Sequence, residues 1–159
     1  DVRQSYADRV RQDAGRAGLT VEELQADFSA AMDLDGEFDE RLAGVERFIN
    51  AHPDTVFAYE AGVHLGVTLR WKKRNEEAER HYRRVIDAAG DAVDSGGTPL
   101  RARALFRLAG LLIEEGRMSE AETVAETLEQ DYIDVVHPLG SNTYARITRA
   151  MILKANREK

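Results

Sequence analysis

An all-α fold is predicted for this 159-residue chain by three observations. Apolar residues recur at helical spacing along nearly the whole length, and no stretch alternates for long enough to read as a strand. The breaks between the periodic runs are short and carry Gly, Pro and Thr at the positions that start and stop helices. Two long segments, "LGVTLRWKKRNEEAERHYRRVI" and "LAGLLIEEGRMSEAETVAETLE", share one register, so the fold is repetitive.

The elements follow in order. An N-terminal helix over 2–14 runs into Gly15 and Gly18. Thr20 and Glu23 form a capping box that opens a second helix, ending near Gly36. A third spans Phe38 to Ala51 and stops before Pro53. A fourth covers Thr55 to Lys72, and a fifth runs from Asn75 to somewhere in Gly90–Asp94. "SGGTP" is a flexible linker in which Thr98 and Pro99 read as an N-cap and a first-turn proline. The sixth helix ends at Gly116, and Ser119 with Glu122 forms a second capping box for a seventh reaching Tyr132. After "HPLGSN" an amphipathic helix runs from Thr143 to the C-terminus. Eight helices joined by short turns make antiparallel neighbours.

Composition narrows the class of work. The chain is 43% hydrophobic and 32% charged, with a formal net charge of -7, which opposes a general affinity for nucleic acid or anionic membrane. No apolar run approaches the ~20 residues of a transmembrane helix. The chain has no Cys, which excludes disulfides, thiolate ligands and cysteine nucleophiles and leaves the compartment open between the cytoplasm and a bacterial periplasm or envelope. The first residue is Asp1 rather than Met, as expected where an upstream segment has been removed.

Within the repeat, Leu65 precedes Ala78 by thirteen residues, as Leu108 precedes Ala121. Leu69 matches Leu112, Tyr82 matches Ala125, and Val85 matches Leu128. "FSAAMDLDGEFDERLAGVERFINAHP" falls into the same register through Phe28, Met32, Gly36, Val45, Phe48 and Pro53. On Leu65–Gly66, Ala78, Tyr82 and Pro53 the chain resembles the tetratricopeptide repeat family. The resemblance implies a right-handed α-α superhelix occupying 1–159 as one domain. Its parts would be an N-terminal helix (1–18), a degenerate repeat (21–53), two repeats (55–90 and 99–132) and a capping helix (142–159). The chain departs from the pattern at four places. Gly62 and Leu105 stand at the family's Trp position, Arg41 stands where Ala is expected, and Lys73 replaces the turn glycine kept as Gly36 and Gly116. "ERFINAHPDTVFAYEAGVHLG" also resembles repeats of bacterial cell-envelope proteins.

The resemblance implies that the first helix of each repeat lines a concave groove that binds another protein or a peptide segment. Carried over, the groove residues are Glu60, Val63, His64, Val67, Arg70 and Trp71, then Arg103, Phe106, Arg107, Gly110 and Ile113. Residues 60, 64, 67 and 71 share a helical stripe, while Leu65 and Leu69 lie on another face. Trp71, the only tryptophan, is either a groove anchor or is covered by the N-terminal helix or a neighbouring repeat. The basic run around it is interrupted by Glu76, Glu77 and Glu79 and has one aromatic, which speaks against nucleic acid. Val63, Val67 and Trp71 stand where a carboxylate-clamping groove would carry polar residues.

No metal, cofactor or catalytic group is expected. His52, His64, His81 and His137 are scattered, and "DLDGEFDE" lacks the full spacing of a calcium loop. No nucleophile elbow, phosphate loop or dinucleotide fingerprint occurs. The expected role is a binding scaffold rather than an enzyme. The alternative is a helical accessory or homo-oligomerisation domain of a larger multidomain enzyme or envelope protein.

Overall fold

A computed structural model describes residues 2–159, with side chains from Ser5 onward; Asp1 lies outside the described residues. Eight helices succeed one another: α1 (Val2–Ala17), α2 (Val21–Met32), α3 (Phe38–Ala51), α4 (Val56–Trp71), α5 (Asn75–Ala88), α6 (Leu100–Glu114), α7 (Met118–Asp131) and α8 (Tyr144–Arg157). Helices α2 and α3, α4 and α5, and α6 and α7 pack as hairpins, and α8 lies on both α6 and α7. The arrangement is an α-α superhelix with no strand among the described residues.

Local chemistry accounts for the helix starts. The capping box at α2 forms: the Glu23 N–H donates to Thr20 Oγ1 at 3.1 Å, and the Thr20 N–H donates to the Glu23 carboxylate at 2.8 Å. Thr55 caps α4 by accepting from the Ala58 N–H at 3.1 Å. The α4 terminus receives a second cap from a distant helix. Asp13 of α1, buried, accepts the Val56 N–H at 2.8 Å and is held by Arg9 at 2.8 Å. A carboxylate there satisfies an orphan donor and complements the positive end of the helix dipole.

Two expected caps do not form. Pro99, not Thr98, is the N-cap of α6, and the Thr98 N–H instead donates to Asp94 Oδ1 at 2.9 Å. The α7 N-cap is Arg117, without a side-chain cap bond, so Ser119 falls inside the first turn, too late to cap. Glu122, its expected partner in a capping box, pairs with Arg149 of α8.

The repeat register is a packing register. Leu65, Leu69, Ala78, Tyr82 and Val85 are all buried, as are Leu108, Leu112, Ala121, Ala125 and Leu128. Helices α4 and α5 meet closely because Gly66 carries no side chain: a Cβ there would overlap ring carbons of Tyr82. In the first hairpin Arg41 is exposed, and Leu42, Val45, Phe48 and Ile49 fill the core instead.

Each later repeat turns and ends in the same way. After α4 the Arg74 N–H donates to the Leu69 carbonyl and the Lys73 N–H to that of Arg70; after α6 Arg117 donates to Leu112 and Gly116 to Ile113. Both turns put one residue in the left-handed region, Lys73 at φ 62° and Gly116 at φ 74°. The linkers to the next repeat also correspond. Asp94 donates to Thr98, Gly97 to Asp94 and Leu100 to Ala92, while His137 donates to Asn142, Gly140 to His137 and Tyr144 to Val135. Asp94 Oδ1 accepts from the Gly96 N–H, and His137 Nδ1 takes that part with the Leu139 N–H. The residues expected to form a flexible linker are a short folded loop, used after α5 and again after α7.

Candidate functional site

Helices α4, α6 and α8 stand next to one another, and the side chains they share enclose two adjoining clefts. The first, of about 420 Å³, is lined by Val67, Arg70, Trp71, Lys73, Tyr82, Arg107 and Glu114. The second, of about 430 Å³, lies between α6 and α8 and is lined by Phe106, Gly110, Ile113, Met151, Lys154 and Ala155, with Glu158 at its edge. Arg70, Arg107 and Glu114 border both clefts.

The divide between the clefts is built from charge. Arg70 Nε donates to Glu114 Oε2 at 2.8 Å and its Nη2 to the Gly110 carbonyl at 3.2 Å. Lys73 Nζ reaches the other oxygen of Glu114 at 3.4 Å. The hydrogen bond from Arg70, with that from Lys73 after it, holds the Glu114 carboxyl below the usual range, so it stays ionised. Arg107 is exposed and forms no ion pair among the described residues; its guanidinium lies 6.0 Å from the Phe106 ring centroid. The first cleft therefore holds three cations against one anion in a chain whose formal net charge is -7.

Trp71 projects from the rim of the first cleft, 84% exposed, so neither α1 nor a neighbouring repeat covers it. Tyr82 lies at the opposite extreme, with no exposed surface, and its hydroxyl has no hydrogen-bond partner. Burial pushes that hydroxyl up to about 12, against the pull of Arg107 and Arg70.

The α4 stripe expected to line one continuous groove is divided. Val67, Arg70 and Trp71 reach the open cleft, whereas Val63 is buried, 1% exposed. Val63 is a core residue because α4 packs against α1, α2 and α3 as well as α5 and α6. Glu60 is only partly exposed, its Oε1 is unpartnered, and burial together with nearby Asp94 raises its carboxyl to about 7, opposed by Arg103. Arg103 pairs with Asp94 of the α5–α6 loop at 3.0 Å. Tyr6 of α1 stands by the same acids; burial, then Glu60 and Asp94, push its hydroxyl up to about 12. Helix α1 and the α5–α6 loop thus close off the upper end of the stripe. His64 remains exposed beside it, held below its ordinary pKa by partial burial and by Arg41 and Arg103.

On α6, Phe106, Arg107, Gly110 and Ile113 all line the clefts, and Phe106 also packs its ring within the fold. That ring stacks on Tyr144 at 4.6 Å between centroids and meets His137 edge-on at 5.4 Å. Sequence reasoning missed Lys73, Tyr82, Glu114 and the α8 wall. The spacing of Met151, Lys154, Ala155 and Glu158 puts all four on one helical face, a stripe that could have been read from the sequence. His81 of α5 lies 3.5 Å from Glu46 of α3. Among the described residues no three His, Asp or Glu side chains are grouped so as to hold a metal ion, and no helix is long and apolar enough to cross a membrane.

Residues 57–130, from the second residue of α4 almost to the end of α7, match the family model of the tetratricopeptide repeat. The chain matches no curated protein and no solved structure.

Proposed function

We propose that this tetratricopeptide-repeat chain is a scaffold that binds a segment of a partner protein across the two clefts between α4, α6 and α8. Repeats of this family mediate protein–protein contacts. The observation that carries the reading here is Trp71, a large aromatic left 84% exposed at the rim of a cleft beside Arg70 and Arg107. Tryptophan and arginine around a depression are the side chains that most often anchor a bound segment, because each buries a large area and fixes a direction.

The test is affinity capture with the wild-type chain and with a Trp71→Ala, Arg107→Ala variant, read by mass spectrometry. Both positions are exposed, so the variant keeps its fold, whereas Phe106 would cost stability if cut. Proteins held by wild type and lost by the variant identify the partner; equal recovery with both defeats the reading.

A second reading, a contact with a further copy or with a larger parent chain, is favoured by the α7–α8 loop. Leu139 is 92% exposed there, with Ile133 and Val136 half exposed beside it. Sedimentation of wild type against Leu139→Ser tests self-association.

A further inference from the structure

The two ends of the superhelix carry opposite charge. The first helices of successive pairs stack in the order α2, α4, α6, α8: α2 touches α4 and neither α6 nor α8, and α8 touches α6 but not α4. Helices α2 and α8 therefore stand at opposite ends. From Leu19 to Glu40 the chain has eight acidic residues and no Lys or Arg, whereas α8 has four basic residues and no acidic one.

Each end helix packs one face inward and leaves the other bare. Helix α8 buries Tyr144, Ala145, Thr148 and Ile152, and on its outward face Arg146, Ala150, Leu153 and Arg157 are all exposed. Helix α2 buries Leu24 and sets the Phe28 ring against Phe48 and Phe57; on its outward face Glu22, Ala26, Ser29 and the C-cap residue Asp33 are all exposed. The two sets share one spacing, steps of four, three and four residues, which aligns each set along its helix. One reads basic, Ala, Leu, basic; the other reads acidic, Ala, Ser, acidic. None of the four charged side chains is in an ion pair among the described residues. Arg146, in the first turn of α8, and Asp33, at the end of α2, even oppose the dipoles of their own helices.

We infer that these two faces are halves of one interface: α8 of one copy lies along α2 of the next. Arg146 and Arg157 pair with Glu22 and Asp33, and Leu153 packs on Ala26 and Ser29. The occupant is a second copy because each face supplies, within one sequence, the charge and spacing that complement the other. Ala26, Ser29 and Ala150 let the helices approach closely, and Leu153, 51% exposed, gives the contact an apolar centre. The contact is head-to-tail, so each added copy leaves a free α2 at one end and a free α8 at the other. None of these residues lines either cleft, and the inference stands apart from the cleft-binding function.

The test is analytical ultracentrifugation of the full chain from micromolar to millimolar concentration, at low and high salt. Expected are species that grow past a dimer with concentration and recede with salt. The pair Glu22→Lys, Asp33→Lys and the pair Arg146→Glu, Arg157→Glu should each weaken association about tenfold or more, because like charges then face each other. All four changes in one chain restore the match and should restore association. Each pair replaces one charge that suits its helix end and one that opposes it, so melting temperatures should stay near wild type. A wild-type chain that remains monomeric at millimolar concentration overturns the inference. So does a fourfold variant that melts like wild type yet fails to associate. Association that survives the α2 changes also overturns it, and its loss with Leu139→Ser would then place the contact in the α7–α8 loop.

Discussion

Arg117 holds Glu79 of the preceding repeat through two hydrogen bonds, Nη1 to Oε2 at 2.6 Å and Nη2 to Oε1 at 3.0 Å. The same arginine pairs with Glu120 of its own helix at 2.8 Å. One repeat earlier Arg74 does the equivalent work, joining Glu77 of its own helix at 2.7 Å to Asp39 of α3 at 2.5 Å. In both places the left-handed turn delivers an arginine at the start of the second helix, so turn geometry and inter-repeat contact form one device. The hydrogen bond from Arg117 keeps the Glu79 carboxyl below its usual range. The stability it lends is therefore present above the unfolded pKa and lost as pH falls through the lower folded value. Arg117→Gln should lower the melting temperature modestly at neutral pH, and the difference from wild type should shrink on acidification. A difference independent of pH would show that arginine packing, not the ion pair, joins the repeats.

Gly66 and Tyr82 give the sharper test of the repeat register. Because a Cβ at residue 66 overlaps the Tyr82 ring, Gly66→Ala must push α4 and α5 apart or tilt the ring. The expected loss is about 1–3 kcal/mol net, even though alanine is the better helix former by about 1 kcal/mol. Urea denaturation measures it. Gly15, exposed on α1 with open space around its Cα, is the control, and Gly15→Ala should stabilise.

Lys73 tests the turn. Gly116 reaches φ 74° without steric cost, while Lys73 adopts φ 62° with a Cβ that crowds the carbonyl. Lys73→Gly should stabilise the chain by about 0.5–1 kcal/mol, less whatever its exposed contact with Glu114 contributes. Thermal melts of wild type and variant decide the point. A destabilised variant would make the Lys73–Glu114 contact worth more than the backbone strain.

These positions also show what was legible from the sequence. The bounds of α3 follow from Phe38 and Pro53, and the buried register follows from Leu65, Ala78, Leu108 and Ala121, because spacing and packing report the same helical face. The paired loops were not legible. Their likeness lies in backbone bonds, and the side chains differ where it matters: His137 replaces Asp94, and Leu139 replaces Gly96. Ser119 resembles a cap because Ser-x-x-Glu is one on an isolated helix; here the turn at Gly116 starts α7 two residues too early. The groove was half legible for a tertiary reason. A helical wheel puts Glu60, Val67 and Trp71 on one stripe and cannot say that Tyr6 and the Asp94 loop come to lie over its upper end.

That covered end carries the last prediction. The Glu60 carboxyl, raised to about 7 by burial and by Asp94, binds its proton more tightly folded than unfolded, where it titrates near 4.5. Between those two values the native state holds more protons than the unfolded chain, so stability falls as pH rises from about 4.5 to 7 and is level above. At pH 8 the folded chain carries a poorly solvated carboxylate costing up to about 3 kcal/mol, with the attraction of Arg103 already included. Glu60→Gln removes that cost. The variant should match wild type near pH 4.5 and exceed it by about 1–3 kcal/mol at pH 8, as measured by urea denaturation across the range. Since Tyr6 of α1 stands by the same acid, wild-type amides of α1 should exchange faster above pH 7 than those of Glu60→Gln after correction for intrinsic rates. Equal pH profiles for the two proteins would mean that the Glu60 carboxylate reaches water, and that α1 does not seal the upper end of the stripe.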